Sequence, residues 1–407
     1  MPARHRRFAL VVSLGLIALA LAACSPSAGG PIKIYISLPL ESRQGESIRK
    51  GIELAVRQAG GQVGNFEIVL VSRSDSLASG QWDAQREEAN AHEAVADPDV
   101  MAYVGPMDSG AAVVSIPITN RGSLAHISPS NTAPGLTKVG FQPGWPGEFY
   151  PTGQRNYFRT CSTDDVQGPA AAIWARELGF RSVYILDDGE IYGVGVADLF
   201  EEKAADVGIE VLGRAMIDKT AADFSDVLRR VKGADPDLVF LGGYSENGAP
   251  RVAKQLRAMG IRAALMVPDG AADSYFVEQA GPAAEGVWGT LVGAPPDRLS
   301  GPIGAAFYRA YKAEYGAEPE SFAQFGYDAA RVVLAAIERA GVKDRKAILE
   351  AIAATRDFPG SGGLFSFDRN GDTTLITVSG NQVVNRKFEL VRMLIGQAQG
   401  LSLLPGS

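Results

Sequence analysis

Residues 159–172 read RTCSTDDVQGPAAA and place two adjacent carboxylates, Asp164 and Asp165, directly ahead of a predicted helix. The helix is predicted to begin between residues 166 and 168, with a proline in its first turn, where a missing N–H costs little. Aspartate is a preferred N-cap and Gln167 follows Asp164 by three positions, so a helix cap explains one carboxylate. A cap does not account for both.

The first 23 residues are typical of an export signal, which takes no part in the fold. Three arginines precede an apolar run at residues 8–21 that is too short for a comfortable membrane span. LAAC at residues 21–24 is the lipoprotein pattern, in which Cys24 is acylated at the cleavage site; a plain secretory peptide is the alternative. Residues 24–30 are then predicted to form a lipid-anchored flexible tether.

Length and composition predict an acidic globular protein of two lobes. Without its first 23 residues, the chain of 407 residues is still longer than one core usually supports. Its formal net charge of −7 gives no electrostatic case for nucleic acid as a partner. If Cys24 is acylated, Cys161 is the one remaining cysteine, so we expect no internal disulfide and a buried, apolar environment for Cys161.

Strand and helix patterns alternate along the first half of the chain. Apolar and polar residues alternate at residues 32–38, which predicts a strand, and apolar residues then recur at helical spacing up to Gly60. The resulting βαβαβ order demands a parallel sheet with right-handed crossovers. Further strands are predicted at residues 66–71, 100–104 and 124–128, and a short helix after Ser109 is predicted to break at Pro117.

A second series of the same kind follows residues 159–172, and two such series predict two doubly wound lobes. The loop at residues 129–153 is too long for an ordinary connection and is predicted to be an insertion. Residues after 302 are too few for a third domain of typical size, so we expect them to complete both lobes. The strands of the second series are predicted at residues 182–186, 209–215, 238–241 and 263–267.

Candidate binding residues follow the strands, because ligands of open α/β sheets bind beyond the carboxyl ends of the strands. Ser109 follows the strand at residues 100–104 and precedes a helix, so its hydroxyl and the free N–H groups of the helix suit a carboxylate. An N-cap that touches no ligand is the alternative. Thr132 offers a second hydroxyl on the same side, with an ordinary turn residue as its alternative.

Two carboxylates, Asp164 and Asp269, are predicted to stand where a cation could bind. An unpaired carboxylate in a closed cleft is costly and charge-assisted hydrogen bonds to an ammonium are strong, so we expect a cationic ligand group. Tyr192 and Tyr244 also follow strands and could present a ring and a hydroxyl to a small ligand. Simple packing is the alternative for each tyrosine.

Collinear segments along the chain carry a family resemblance. Besides residues 159–172 they are KGIELAVRQAGG at 50–61, VGPMDSG at 104–110, ISPSNTAPGLT at 127–137, ILDDGEIYGVGVAD at 185–198, DFSDVLRRVK at 223–232, FLGGYSENG at 240–248, VPDGAAD at 267–273, FGYDAARVVLAAIERAG at 325–341 and FSFDRNGD at 365–372. Together they resemble the branched-chain amino-acid binding proteins of ABC transporters, the type I periplasmic binding proteins. This resemblance implies an α/β fold of two doubly wound parallel-sheet lobes joined by crossover strands, with a ligand cleft between them.

The resemblance also implies a function. The chain would be the extracytoplasmic substrate-binding component of an ABC-type uptake transporter, which captures a small amino acid by lobe closure and delivers it to a membrane permease. It would not be an enzyme, would need no cofactor and would be held at the membrane through lipid on Cys24. Lobe 1 is expected at residues 31–162 with 295–374, lobe 2 at 163–294 with 375–395, and a C-terminal tail at 396–407.

Site residues carried over from the family fall into two groups. The ligand carboxylate is implied to contact Ser109, Asn131 and Thr132. Its ammonium and side chain are implied to contact Asp164, Tyr192, Tyr244 and Asp269. Gln44 departs from the family pattern, since many members place an aromatic residue there, and Asp108 replaces one cysteine of a disulfide found in well-known members.

Other functions fit the sequence less well. GYSEN at residues 243–247 lacks the second glycine of a nucleophile elbow, and GVGVAD at 193–198 lacks the third glycine of a dinucleotide loop. With only three histidines, a histidine-based metal site is not expected, and DRNGD at 368–372 is interpreted as a solvated β-turn rather than a calcium loop. The remaining alternative is the same fold binding an amide, a urea-like molecule or an aromatic acid, as a transport or sensory receptor.

Overall fold

The computed structural model describes residues 30–396, and most of its strands form two large sheets. The predictions for the signal at residues 1–23, for Cys24 and for most of the tether and tail lie outside the described residues. Within residues 30–396, no helix is long and apolar enough to cross a membrane.

The first sheet has six strands and is parallel except at one edge. Its strand order is β2-β3-β1-β4-β5-β6, with only the β2–β3 pair antiparallel. The central strands are buried on both faces, as expected for a parallel sheet covered by helices. Its strands are β1 (Ile32–Leu38), β2 (Gln62–Val63), β3 (Phe66–Ser74), β4 (Val100–Val104), β5 (Ala125–Ser128) and β6 (Tyr157–Arg159).

The second sheet has seven strands and is mixed. Its order is β15-β14-β11-β10-β9-β7-β8, in which β14 and β15 form an antiparallel hairpin added to a parallel core. A separate two-stranded ribbon pairs β12 with β13. These strands are β7 (Ser182–Asp187), β8 (Glu210–Met216), β9 (Leu238–Gly242), β10 (Ala264–Val267), β11 (Trp288–Val292), β12 (Phe358–Pro359), β13 (Leu364–Phe365), β14 (Val378–Val384) and β15 (Lys387–Ile395).

Eleven α-helices in the described part of the chain cover the sheets. Several begin at side-chain N-caps; the Ser42 hydroxyl, for example, accepts from the Gly45 N–H. They are α1 (Arg43–Gln58), α2 (Ala84–Ala96), α3 (Ser109–Arg121), α4 (Asp164–Glu177), α5 (Ile191–Asp206), α6 (Ser225–Ala234), α7 (Ala249–Ala258), α8 (Ser274–Ala280), α9 (Pro302–Tyr315), α10 (Ala323–Ala340) and α11 (Arg345–Ala353). Helices α10 and α11 return to the first sheet and the β14–β15 hairpin completes the second.

The chain passes between the two sheets three times, at residues 160–163, 293–301 and 366–377. These crossover segments are hydrogen-bonded to one another. The Thr377 N–H donates to the Ser162 hydroxyl over 3.1 Å, and the Gly293 N–H donates to the Thr377 carbonyl over 2.8 Å. The fold predicted from the sequence, two α/β lobes joined by crossovers, is confirmed.

Two local predictions were wrong. Helix α3 does not break at Pro117 but continues to Arg121, because most of its residues are buried and tertiary packing outweighs one lost backbone bond. The predicted solvated turn at residues 368–372 is a turn, but Asp372 is buried against Arg159. The second sheet is parallel in its core, as predicted, and carries an antiparallel edge at β14–β15.

Candidate functional site

Asp164 does not cap its helix. Helix α4 begins at Asp164 itself, so the N-cap is Thr163 and the helix starts two residues earlier than predicted. Asp165 turns away to a salt bridge with Lys138 over 2.7 Å. Both carboxylate oxygens of Asp164 are buried without a hydrogen-bond partner, which rules out the capping interpretation for this residue.

Asp269 lies close to Asp164, although the two residues are more than a hundred positions apart. It follows strand β10 and is 1% exposed, and its Oδ2 atom also lacks a partner. Burial, together with the negative charge of Asp269, raises the pKa of Asp164 well above its usual range. Burial also raises the pKa of Asp269, against hydrogen bonding from Tyr192 and from backbone N–H groups. Two adjacent buried carboxylates with free oxygens form a site for a positively charged, hydrogen-bonding group.

The other oxygen of Asp269 is held by two side chains. The Tyr192 hydroxyl donates to Oδ1 and itself accepts from the Gly270 N–H over 2.9 Å. The Gln167 amide, one turn along α4 from Asp164, donates to the same Oδ1 over 3.0 Å. These contacts fix the orientation of the Asp269 carboxylate and leave Oδ2 free to bind a ligand.

A small cavity adjoins this carboxylate. Its volume of about 10 Å³ is about what one water molecule needs, so a larger ligand requires the lobes to separate. Of the seven residues predicted to bind ligand, four line the cavity. Its walls are Met107, Ser130, Thr132, Tyr192, Tyr244, Asp269, Gly270 and Phe322.

The predicted hydroxyls lie on the first-lobe side of the cavity. Thr132 lines it directly, and the Thr132 carbonyl accepts from the Asp164 N–H over 2.9 Å. The Ser109 hydroxyl accepts from the Ala133 N–H over 3.3 Å, which leaves its own proton available to donate. Of these two residues only Thr132 lines the cavity, and it lies beside Asp164; both hydroxyls are able to donate to an anionic group.

Asn131 is placed differently from the other predicted residues. Its side-chain N–H₂ donates to the Pro106 and Met107 carbonyls over 3.1 and 2.8 Å, and its Oδ1 accepts from the Tyr157 hydroxyl over 2.8 Å. Those bonds occupy the amide within the first lobe. They favour a structural role for the Asn131 side chain, and its ligand contact stays a prediction.

Tyr244 packs against Tyr192 with ring centroids 4.7 Å apart, so the two predicted tyrosines form one wall. At the hydroxyl end of Tyr244 lies Asp108, the N-cap of α3, whose side chain makes no capping bond. Burial and the charge of Glu190 raise the pKa of Asp108 to about 8, against the hydrogen bond from Tyr244. Asp108, which the sequence analysis noted only as a departure from the family pattern, is thus a third buried acid near the cavity wall.

Sequence reasoning missed four wall residues, Met107, Ser130, Gly270 and Phe322. Met107 and Ser130 stand one or two positions from residues that were selected, so the end-of-strand rule could have found them. Phe322 precedes α10 and follows no strand, so the rule gave no signal for it. Within residues 30–396, no group of three or more His, Cys, Asp or Glu side chains is arranged to hold a metal ion.

A sequence profile described as periplasmic binding protein matches residues 38–379, most of the chain. The chain belongs to the periplasmic binding protein family. The resemblance inferred from the sequence is therefore confirmed.

Individual periplasmic binding proteins are similar over nearly their full length. The leucine-, isoleucine-, valine-, threonine- and alanine-binding protein of Pseudomonas aeruginosa is 28% identical, over 90% of this chain and 92% of its own. The leucine-binding protein LivK of Thermotoga maritima is 29% identical with a TM-score of 0.80, covering 89% of this chain and 98% of that one. LivJ of Streptococcus pneumoniae, solved with isoleucine, is 28% identical with a TM-score of 0.77, covering 89% and 99%.

Proposed function

We propose that this chain is the extracytoplasmic substrate-binding component of an ABC-type uptake transporter, and that its ligand is a small amino acid. One observation carries the proposal: Asp164 and Asp269 bring three partnerless, buried carboxylate oxygens together beside a cavity between the lobes. Such oxygens can accept from a donor on the ligand, and an α-ammonium is such a donor.

The hydroxyls of Thr132 and Ser109 suit the other end of an amino acid. Ser109 also opens a buried helix whose first N–H groups favour a carboxylate. Tyr192 and Tyr244 would contact the ligand between its two ends. A zwitterion bound in this way contacts both lobes at once and therefore favours the closed form.

Lobe closure is the proposed mechanism of capture. Shifting a closing equilibrium from 1:99 to 99:1 takes about 5.5 kcal/mol of differential binding, and a few charge-assisted hydrogen bonds can supply it. Lobe 1 would comprise residues 31–162 and 295–374, and lobe 2 residues 163–294 and 375–395. The closed form would dock on a membrane permease, with the protein held nearby by lipid on Cys24.

The ligands named for similar proteins support an amino acid as the ligand of this chain. The Pseudomonas relative is named for five neutral amino acids, and the streptococcal structure holds isoleucine. We extend this chemistry to the present chain because its candidate site provides acceptors for an ammonium and donors for a carboxylate in one cavity.

Calorimetry on the mature chain with paired ligands tests the proposal. L-Leucine and 4-methylpentanoate share a carbon skeleton and differ in the α-amine, and the other amino acids, acetamide, urea and benzoate complete the panel. We expect binding by at least one amino acid and none by its deaminated analogue. Binding confined to molecules without an amine would remove the role proposed for Asp164 and Asp269 and favour the alternative ligands.

A further inference from the structure

A second and much larger cavity adjoins the candidate site. Its volume is about 570 Å³, and small-molecule sites typically measure about 300–1,000 Å³. Ser321 lines this larger cavity, and the next residue, Phe322, lines the smaller cavity beside Asp269. The two cavities share no lining residue, so they are neighbours with separate walls.

The walls of the larger cavity come from both halves of the fold. Arg43 belongs to α1, which follows the first strand of the first sheet, and Val277 belongs to α8, which follows β10 of the second sheet. Tyr308 and Tyr311 of α9 and Phe388 of β15 add aromatic surface. An apolar molecule bound here would therefore contact both halves of the fold at once.

Five acidic and four basic side chains line this cavity. Three of the basic residues are paired with acids: Arg43 with Glu278, Lys50 with Glu46 over 3.6 Å, and Lys387 with Asp297 and Glu318 over 3.3 and 3.1 Å. The fourth, Arg386, is exposed to solvent. Among the residues that the structure describes, no cation forms an ion pair with the other two acids of the wall, Asp273 and Glu320.

Asp273 and Glu320 accept hydrogen bonds from uncharged groups. Asp273 is 3% exposed, and its carboxylate accepts from the Ser245 hydroxyl over 2.8 Å and from the Gln44 amide over 3.2 Å. Glu320 accepts from the Ser274 N–H over 3.3 Å. Burial and the negative charge of Asp273 raise the pKa of Glu320 to about 7. A cation bound beside the two acids would offset their mutual repulsion.

Ser321 points independently to a ligand in this cavity. It follows Glu320 and is 7% exposed, and its hydroxyl is buried without a hydrogen-bond partner. Buried hydroxyls in native proteins are nearly always hydrogen-bonded. The Ser321 hydroxyl can therefore accept from a ligand N–H placed next to the acid pair.

We propose that the larger cavity is a second binding site, which takes an organic amine with an apolar body. The ammonium binds at Glu320, Asp273 and Ser321, where a positive charge and N–H donors are both favourable. The apolar body lies against the aromatic residues of the wall. A carboxylate in the same place would be repelled by the two acids. This second site is separate from the amino-acid site of the proposed function and does not depend on it.

The test compares phenethylamine with 2-phenylethanol, which has the same skeleton with a hydroxyl in place of the ammonium. Calorimetry on the unmodified mature chain should give a Kd about 10- to 100-fold lower for the amine, the range expected for a hydrogen bond to a charged group. 3-Phenylpropionate, which carries a carboxylate on the same skeleton, should bind more weakly than the alcohol.

Two variants test the residues of the proposed site. Ser321→Ala removes a hydroxyl that has no partner in the protein, so it should be as stable as wild type and bind phenethylamine about three- to tenfold more weakly. Glu320→Gln should lose most of the preference for the amine over the alcohol. Glu314→Gln, at an exposed position on α9 outside the cavity, makes the same change in net charge and should keep the preference.

Asp269→Ala distinguishes the two cavities, because it removes an acid of the smaller one. Phenethylamine affinity in this variant should stay within about threefold of wild type. Loss of amine binding in Asp269→Ala but not in Glu320→Gln would place the amine beside Asp269 and overturn the second site.

Two results on the wild-type chain also overturn the second site, even where Glu320→Gln does not fold. They are equal affinities for the amine and the alcohol, and no binding of phenethylamine at millimolar concentrations. Both leave the amino-acid transporter standing. Conversely, failure of every amino acid to bind would overturn the proposed function and leave the amine site intact.

Discussion

Gln81 donates a hydrogen bond to the Asn247 side-chain oxygen over 3.0 Å, although the two residues belong to loops of different lobes. Beside them, the Trp82 indole donates to Glu190 over 3.3 Å. On the far side of the cleft, Arg43 reaches Ser274 over 3.4 Å. These three bonds are at least partly exposed to solvent, so each should contribute little to the stability of the closed form.

Gln81→Ala should accordingly have a modest effect. Loss of one partly exposed hydrogen bond removes about 0.5–1.5 kcal/mol from the closed form, so ligand affinity should fall less than about 15-fold. Calorimetry measures the change. Gln62→Ala, which removes an exposed glutamine bonded only within the first lobe, is the control. A fall of several hundredfold in the ligand affinity of Gln81→Ala would show that the Gln81–Asn247 hydrogen bond, rather than the ligand, drives closure.

Asp269→Ala should separate binding from stability. The carboxylate has a free oxygen and a burial-raised pKa, so its removal should abolish ligand-dependent thermal stabilisation. The melting temperature without ligand should change little, because relief from burying the carboxylate offsets the hydrogen bonds lost from Tyr192 and Gln167. Differential scanning fluorimetry with and without an amino acid reads both effects. A large fall in the ligand-free melting temperature would instead assign Asp269 a structural role.

Acidic pH should favour the closed form without ligand. Burial raises the pKa of Asp108 to about 8 in the closed lobes, whereas a solvated aspartate titrates near 3.9. An acid with a raised pKa favours the buried state below its solvated pKa, and this preference is lost as the pH rises through about 8. Small-angle scattering should show a smaller radius of gyration at pH 5 than at pH 8.5. Asp108→Asn should flatten this dependence, and an unchanged wild-type radius would contradict it.

Acidic pH should destabilise the first lobe, because His126 is a buried base whose pKa is lowered. Its ring is buried between the Gly105 carbonyl and Thr119, and burial lowers its pKa to about 3. A base with a lowered pKa contributes stability above pH 6.5, and this contribution is lost as the pH falls towards 3. The loss is at most about 5 kcal/mol. Urea unfolding from pH 7 to 4 should show a steeper decline for wild type than for His126→Gln, while exposed His92→Gln should follow wild type.

The sequence predicted the parallel cores of both lobes because their strands are continuous apolar runs, as in β4 (VMAYV) and β9 (LVFLG). It did not predict β11 or the extent of β14. The sequence of β14, VSGNQVV, contains glycine and asparagine, yet Ser379 and Asn381 are fully buried. Gly380 is needed because a side chain there would meet Trp174 at 2.8 Å. Such a strand is specified by its tertiary neighbours and not by its own pattern.

At the site, the residues after each strand were predictable because parallel strands end at one edge of a sheet. The positions of Asp164 and Asp269 at strand or crossover ends predicted that both carboxylates stand where a cation could bind, and the family resemblance implied that both contact the ligand. The sequence could not show that the Asn131 side chain is hydrogen-bonded to Tyr157 and to two backbone carbonyls. Nor could it show that Phe322, at the start of α10, lines the cavity. Both facts depend on contacts between segments remote in the chain.

The buried pair of Arg159 and Asp372 should be essential to the junction of the lobes. Arg159 is fully buried at the end of β6, and its Nε donates to Asp372 over 2.6 Å across two crossover segments. Asp372→Ala would leave the guanidinium buried without its counter-charge, so we expect a loss of about 3–5 kcal/mol in the free energy of unfolding. Urea unfolding at neutral pH measures it.

Asp165→Ala provides the matched control, because Asp165 pairs with Lys138 at a similar distance of 2.7 Å but is a quarter exposed. Solvent screening limits that pair to about 1 kcal/mol or less. If the two variants lost equal stability, burial would not be what makes the Arg159 pair strong. A double variant, Arg159→Met with Asp372→Leu, should recover part of the loss, since removing both charges leaves none unpaired.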